Sequence, residues 1–248
     1  MSKIISLSNL KGGTGKTTST INLTAYLARQ KKKVLAIDLD PQCSLSKNFG
    51  VYTSENNSYT VLGHNDLIEN GIIDLPGGYS LLPSSLELSK CEVALAVNMD
   101  NDLLLKSIHK IKRKFDFIII DSPPGMGALV TNSLFSSDII LIPIEPEPMS
   151  VEGMKLIKER ISWIEEKFRT KPQIIKTFFV KLEENRKLTK GIKKSVQTHY
   201  KESLLKSVIR KNVLLAEAYL RKTDIFQYDP GCNGSKDYEN LGKEVLKL

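Results

Sequence analysis

The stretch "NLKGGTGKTTST", Asn9–Thr20, follows the apolar run "KIISLS" (3–8) and leads into "INLTAYLARQ" (21–30), where Ile21, Leu23, Tyr26 and Leu27 have helical spacing. A glycine-rich turn between a buried strand and a helix is a phosphate-binding device. Gly12, Gly13 and Gly15, with Thr14 among them, let backbone N–H groups curl around phosphate oxygens, and the following helix adds its positive N-terminal end. Lys16 supplies a point charge to the β/γ-phosphates, the Thr17 hydroxyl can ligate Mg²⁺, and Thr18 carries the loop into the helix. Leu10 stands where the strict pattern G-x-x-x-x-G-K-[ST] has its first glycine. One lysine is enough to hold a nucleotide phosphate, so Lys11 requires a second explanation.

Two further stretches belong to the same site. In "AIDLDPQ", Asp38 and Asp40 are two residues apart at the end of a strand, so both carboxylates face the same way. In "FIIIDSPPG", four apolar residues build a central strand that ends in Asp121, positioned to hold magnesium or its water. Pro123, Pro124 and Gly125 then form a constrained loop suited to sensing a γ-phosphate.

Between these motifs, short apolar runs alternate with helical stretches. Strands are predicted at 3–8, 33–38, 79–84, 115–121, 138–144 and 173–180, and helices at 101–113, 128–136, 151–168, 187–201 and 236–247. Continuous apolar strands without alternation imply a sheet covered on both faces. The fold expected is α/β: a doubly wound, mostly parallel sheet of the P-loop NTPase type, helices on both faces, as one domain over 1–248. The polar segment 51–66 reads as a loop on the sheet's open edge.

The chain has 248 residues, 41% hydrophobic, which suits one large domain without disulfides or structural metal. Cys43, Cys91 and Cys232 are far apart, without C-x-x-C spacing, and read as buried or incidental thiols of a reducing cytosol. The short polar start does not resemble a signal sequence, and no apolar run approaches the ~18–20 residues that span a membrane. The net charge of +8 is unevenly placed: residues 1–150 hold 14 Lys+Arg against 15 Asp+Glu, and residues 151–248 hold 22 against 13. A surplus gathered in one segment suggests a polyanionic partner, where a scattered one suggests only solubility.

"KGGTGKTT", "DLDPQ", "IIIDSPPG", "RKNVLLAEA" and "YDPGCNGSKDYENLGKEV" occur in the order and spacing of the ParA/Soj partition ATPases, within the wider group containing MinD. The resemblance runs from Lys3 to Leu246, and the start resembles smaller members without an added helix-turn-helix domain. It implies an ATPase that uses ATP and magnesium. Lys16 would serve the chain's own ATP and Lys11 the ATP of a second subunit, giving a homodimer with nucleotide between the chains. Asp40 would position the attacking water, and Asp38 and Asp121 would matter for magnesium and loop geometry. Adenine contacts would fall around Arg210 and Asn212, although Arg210 replaces a usual proline, and Leu214 replaces an arginine that binds DNA in some relatives. Non-specific DNA would then meet Arg186, Lys187, Lys190, Lys193, Lys194 and Lys211. A ParB-like partner, a cytoplasmic and nucleoid-associated location and no membrane complete the expectation. The alternative is a MinD-like membrane-surface ATPase, for which Tyr238, Leu241, Val245 and Leu248 of the tail would form an apolar helix face. A relation to the nitrogenase iron protein would need paired interface cysteines, and Cys91 has no counterpart near Gly125.

Overall fold

The computed structural model describes residues 2–168, 172, 174–183 and 187–248; Arg186 and the side chain of Lys187 lie outside what it describes. In chain order the first half runs β1 (Lys3–Leu7), α1 (Lys16–Arg29), β2 (Val34–Asp38), α2 (Ser44–Asn48), α3 (Ser58–Gly63), α4 (Ile68–Gly71), β3 (Ile73–Leu75), β4 (Tyr79–Leu82), α5 (Leu88–Asn98) and α6 (Leu103–Ile111). The second half runs β5 (Phe117–Asp121), α7 (Ala128–Ser136), β6 (Ile139–Ile144), α8 (Pro148–Phe168), β7 (Ile174–Leu182), α9 (Lys187–His199), β8 (Leu204–Arg210), α10 (Val213–Leu220), α11 (Ile225–Tyr228) and α12 (Asn233–Val245).

The strands form one sheet in the order β3-β4-β2-β5-β1-β6-β7-β8, and among the described residues only the β3–β4 pair is antiparallel. β1 lies between β5 and β6, with Leu7 level with Asp121 and Leu141, so the phosphate loop leaves the middle of the sheet beside the end of β5. Side chains along each strand divide between two cores, as period-two geometry requires. On β5, Phe117 and Ile119 join α1, α11 and α12, while Ile118 and Ile120 join α3, α5 and α6. Farther along that second face, β6 and β7 pack under α7, α8 and α9. These apolar runs are covered on both sides, which is why they lack the alternation of a half-solvated sheet.

The segment 51–66 is not a loop on the sheet edge. It contains α3, opened by a capping box between Asn57 and Thr60, and Ser58 is fully buried with its hydroxyl donating to the Asp38 carbonyl at 2.6 Å. Polar residues here are capping groups, which explains why composition alone suggests a turn. The tail helix α12 directs Tyr238, Leu241 and Val245 into the core against α1, so the apolar face considered for a membrane surface is used inside the molecule. Among the described residues no helix is long and apolar enough to cross a membrane.

Contact between α12 and α1 requires Gly242, where an added Cβ would meet Tyr26 Cδ1 at 2.1 Å. Alanine in an open helix position stabilises by about 1 kcal/mol over glycine. Gly242→Ala should instead destabilise, because overpacking costs about 1–3 kcal/mol. Gly191→Ala on α9, with nothing within 4 Å of the new atom, should show the ordinary gain in urea denaturation. Equal shifts in the two variants would contradict this packing.

Candidate functional site

β1 ends at Leu7 and α1 begins at Lys16, so the glycine turn bridges strand and helix. Gly13 (φ 75°) and Gly15 (φ 78°) adopt left-handed backbone, and nothing stands within 4 Å of a Cβ at either position. Backbone strain, not crowding, calls for glycine there. Asn9 ties the loop down: its amide donates to the Pro143 carbonyl at 2.6 Å and its Oδ1 accepts from the Lys11 N–H at 3.0 Å. The proline–glycine loop after β5 lies alongside, with the Gly125 N–H donating to the Leu10 carbonyl at 2.9 Å.

Lys16 is 6% exposed, and its Nζ donates to the Asn9 and Lys11 carbonyls at 3.2 and 3.3 Å. Burial pushes its ammonium below the ordinary lysine range, while Asp121 and Asp40 pull the other way. Asp121 is fully buried behind it, and burial, followed by the charge of Asp38, pushes its carboxyl well above the carboxylate range; the Thr17 hydroxyl and Lys16 oppose this. Asp121 Oδ1 accepts from Thr20 at 3.3 Å, and Oδ2 is buried without a hydrogen-bond partner among the described residues.

The two acids of "DLDPQ" divide. Asp38 is fully buried with both oxygens engaged: Oδ1 accepts from the Asp40 N–H at 3.0 Å, and Oδ2 from the Ser46 N–H and hydroxyl at 2.9 and 2.7 Å. Burial raises it to about 6 despite these donors. Asp40 is half-buried, accepts locally from the Gln42 N–H at 2.9 Å, and lines the main cavity. Asp38 thus shapes the loop on which Asp40 is carried.

That cavity, about 900 Å³, runs from Gly12, Gly13, Gly15 and the side of Thr17 and Thr18 to an apolar wall on α10. Val213, Leu215 and Tyr219 contribute to the wall. Arg210 and Asn212 reach the same cavity from the end of β8. The Arg210 guanidinium is clasped by Asp237 at 2.6–3.2 Å, and Asn212 caps α10 through the Leu214 N–H at 2.9 Å. Thr14 is buried with its hydroxyl on the Lys11 carbonyl at 3.2 Å.

Lys11 is exposed and pairs with Glu147 at 2.6 Å. The bond to Glu147 holds its ammonium above the ordinary range and, reciprocally, holds Glu147 below its own. Reading the sequence alone missed Glu147, Glu145, Asn9 and Lys181; the acid pair in "IEPEP" beside a helix start was the available signal. The basic residues assigned to DNA separate: Lys190 and Lys194 are exposed on α9, Lys193 is half-buried there, and Lys211 lines the cavity and pairs with Glu183 at 2.7 Å.

Among the described residues no three His, Cys, Asp or Glu side chains form a metal cluster. Magnesium takes one or two protein oxygens and completes its shell with phosphates and water. The buried, unpartnered Asp121 Oδ2 near Thr17 has the donor chemistry such an ion uses.

A glycine cradle at the carboxyl end of a central parallel strand, a buried lysine and an acid at the end of the adjacent strand define a P-loop nucleotide-binding domain. The family model for an AAA domain matches residues 2–175. The chromosome-partitioning ATPase Soj of Treponema pallidum is 34% identical over 99% of this chain and 98% of its own. This chain belongs to the ParA/Soj family of partition ATPases. A plasmid partition protein of Borrelia burgdorferi bound to AMPPNP superimposes with a TM-score of 0.84, at 27% identity, over 100% of this chain and 99% of that one. The septum site-determining protein MinD of Pyrococcus horikoshii with Mg-ADP gives 0.80 at 25% identity, over 100% and 97%.

Ser46 is almost fully buried and its hydroxyl serves both Asp38 and the Ser84 N–H, the latter at 2.9 Å. Ser46→Ala should therefore destabilise the unliganded protein by about 1–3 kcal/mol, because buried partners lose their bonds. Asp40→Ala, which removes only one local acceptor, should unfold at nearly the parent's urea midpoint. A Ser46→Ala protein as stable as Asp40→Ala would contradict the assigned network.

Proposed function

We propose that this chain binds and slowly hydrolyses ATP, and that the ATP form is a DNA-binding homodimer. The observation that carries the reading is one cavity joining the glycine cradle to the apolar α10 wall, with Asp121 behind the cradle, its Oδ2 buried and without a hydrogen-bond partner among the described residues. A phosphate in the cradle would take the Lys16 ammonium from the two carbonyls it now bonds. Asp40, the cavity acid with a single local donor, would orient the attacking water. Thr17 and Asp121 would hold magnesium, with Asp38 keeping the loop in place; the ion would supply neutralisation of phosphate charge. Arg210 and Asn212 would border the adenine, and the names of the Borrelia and Pyrococcus neighbours support nucleotide and magnesium as ligands.

Lys11 would leave Glu147 for the phosphates bound by a second subunit, making dimerisation conditional on nucleotide. DNA would meet the lysines of α9, with Arg186 and Lys187 beside them, and Lys211 at the cavity edge. Two such patches in a dimer raise avidity, by roughly 10²-fold or more when the second engagement is intramolecular. A ParB-like partner would stimulate hydrolysis and release the DNA, in line with the partitioning role named for the Treponema relative. A membrane-surface role has no support from α12, whose apolar face is occupied.

Lys16→Ala should lower affinity for a fluorescent ADP analogue on the order of tenfold to a hundredfold, the worth of a lost charge-assisted contact. Unchanged affinity would overturn the phosphate-site reading. For DNA, Lys190→Ala/Lys193→Ala/Lys194→Ala should flatten the salt dependence of ATP-dependent binding by about three units for each patch engaged, about six for the dimer, since each phosphate contact contributes about one. A triple variant with the parent's slope would place the DNA elsewhere.

A further inference from the structure

We infer that Lys181, at the end of β7, is a nucleotide-positioning residue that sets the phosphate loop from the sheet side; this rests on the nucleotide reading just given. Lys181 belongs to the basic segment that suggested a polyanion, but its geometry separates it from the other lysines. Its backbone has φ 50°, a left-handed conformation that a residue with a side chain rarely adopts. The pairing of β7 with β8 slips in register at this point, between Phe179 and Leu182. Such irregularities re-aim side chains and gather beside active sites.

Here the side chain is aimed at the cradle. Lys181 Nζ donates to the Gly13 carbonyl at 2.7 Å and to Glu145 Oε1 at 2.9 Å, and the residue lines the main cavity with Gly12, Gly13 and Lys16. Gly13 has left-handed backbone with no side chain to fix it, so its peptide is free to turn unless something holds it. All described peptides are trans. In a planar trans peptide the carbonyl and the next N–H point in opposite directions, so holding the Gly13 carbonyl also sets the direction of the Thr14 N–H. Glu145, only 13% exposed in its side chain, keeps the ammonium over that carbonyl. Lys181 thereby presets a donor of the cradle, and its cation adds to the field at the phosphates without being spent on them.

The test is ADP affinity of the parent, Lys181→Met, Lys181→Gly and Lys181→Arg, with melting of each unliganded protein in parallel. Lys181→Met keeps the stem and removes the charged donor; it should bind ADP about tenfold more weakly, as loss of one charge-assisted bond predicts. Its unliganded melting temperature should fall by no more than a few degrees, because the lysine end of the bonds it loses is half-exposed even though Glu145 is largely buried. Lys181→Gly accepts the left-handed backbone without strain, so it keeps the protein folded while losing at least as much affinity. Lys181→Arg retains a donor and should recover most of the affinity. A parent that binds ADP with Lys181→Met within about twofold of it would overturn this inference alone. A parent that binds no ADP would overturn both the inference and the nucleotide reading.

Discussion

The buried ammonium of Lys16 is the constraint around which the site is arranged. Taking such a charge out of water costs several kcal/mol unless other groups receive it. The Asn9 and Lys11 carbonyls supply acceptors, and Asp121 and Asp40 supply opposite charge. Compensation is incomplete, because Asp121 and Asp38 are themselves buried and their carboxyls are pushed up. Asp38 is satisfied by its own loop, whereas Asp121 retains an oxygen with no partner. On the proposed reading, a phosphate group with its magnesium supplies what this set of charges lacks.

Around that centre, exposed ion pairs occupy the mouth of the cradle. Glu147 holds Lys11 and Glu145 holds Lys181, both acids coming from the turn between β6 and α8. The Lys11–Glu147 pair, exposed on both sides, contributes only about 0–1 kcal/mol, so a stronger anion displaces it at little cost. Glu145 is largely buried and holds Lys181 more firmly. The two lysines also differ in consequence. Lys181 is bound to the loop it would position, whereas Lys11 is held only by an acid it can leave.

Much of this was legible in the sequence, because the central strands are buried on both faces and read as unbroken apolar runs. The cradle was legible because its chemistry is local to a few consecutive residues. α1 starts at Lys16, a turn earlier than its apolar spacing indicates, since its first turn faces the ligand site and not the core. α5 escaped detection because Val93 and Val97 are exposed among buried Leu88, Cys91 and Leu95, which blurs the helical period. Among the described residues β8 pairs only with β7, and it mixes lysine and serine into an edge strand, so it lacks the signal of its neighbours. Lys181, Glu145 and Glu147 depend on contacts across more than thirty residues of sequence, and no local pattern announces them.

Conditional transfer of Lys11 from its own Glu147 to a second chain's phosphates is the central claim, and mass in solution tests it most directly. Light scattering should give a monomer for the parent without nucleotide and twice that mass with ATP and magnesium. Lys11→Ala should bind ATP yet remain a monomer under the same conditions. A Lys11→Ala protein that doubles its mass as the parent does would contradict the account.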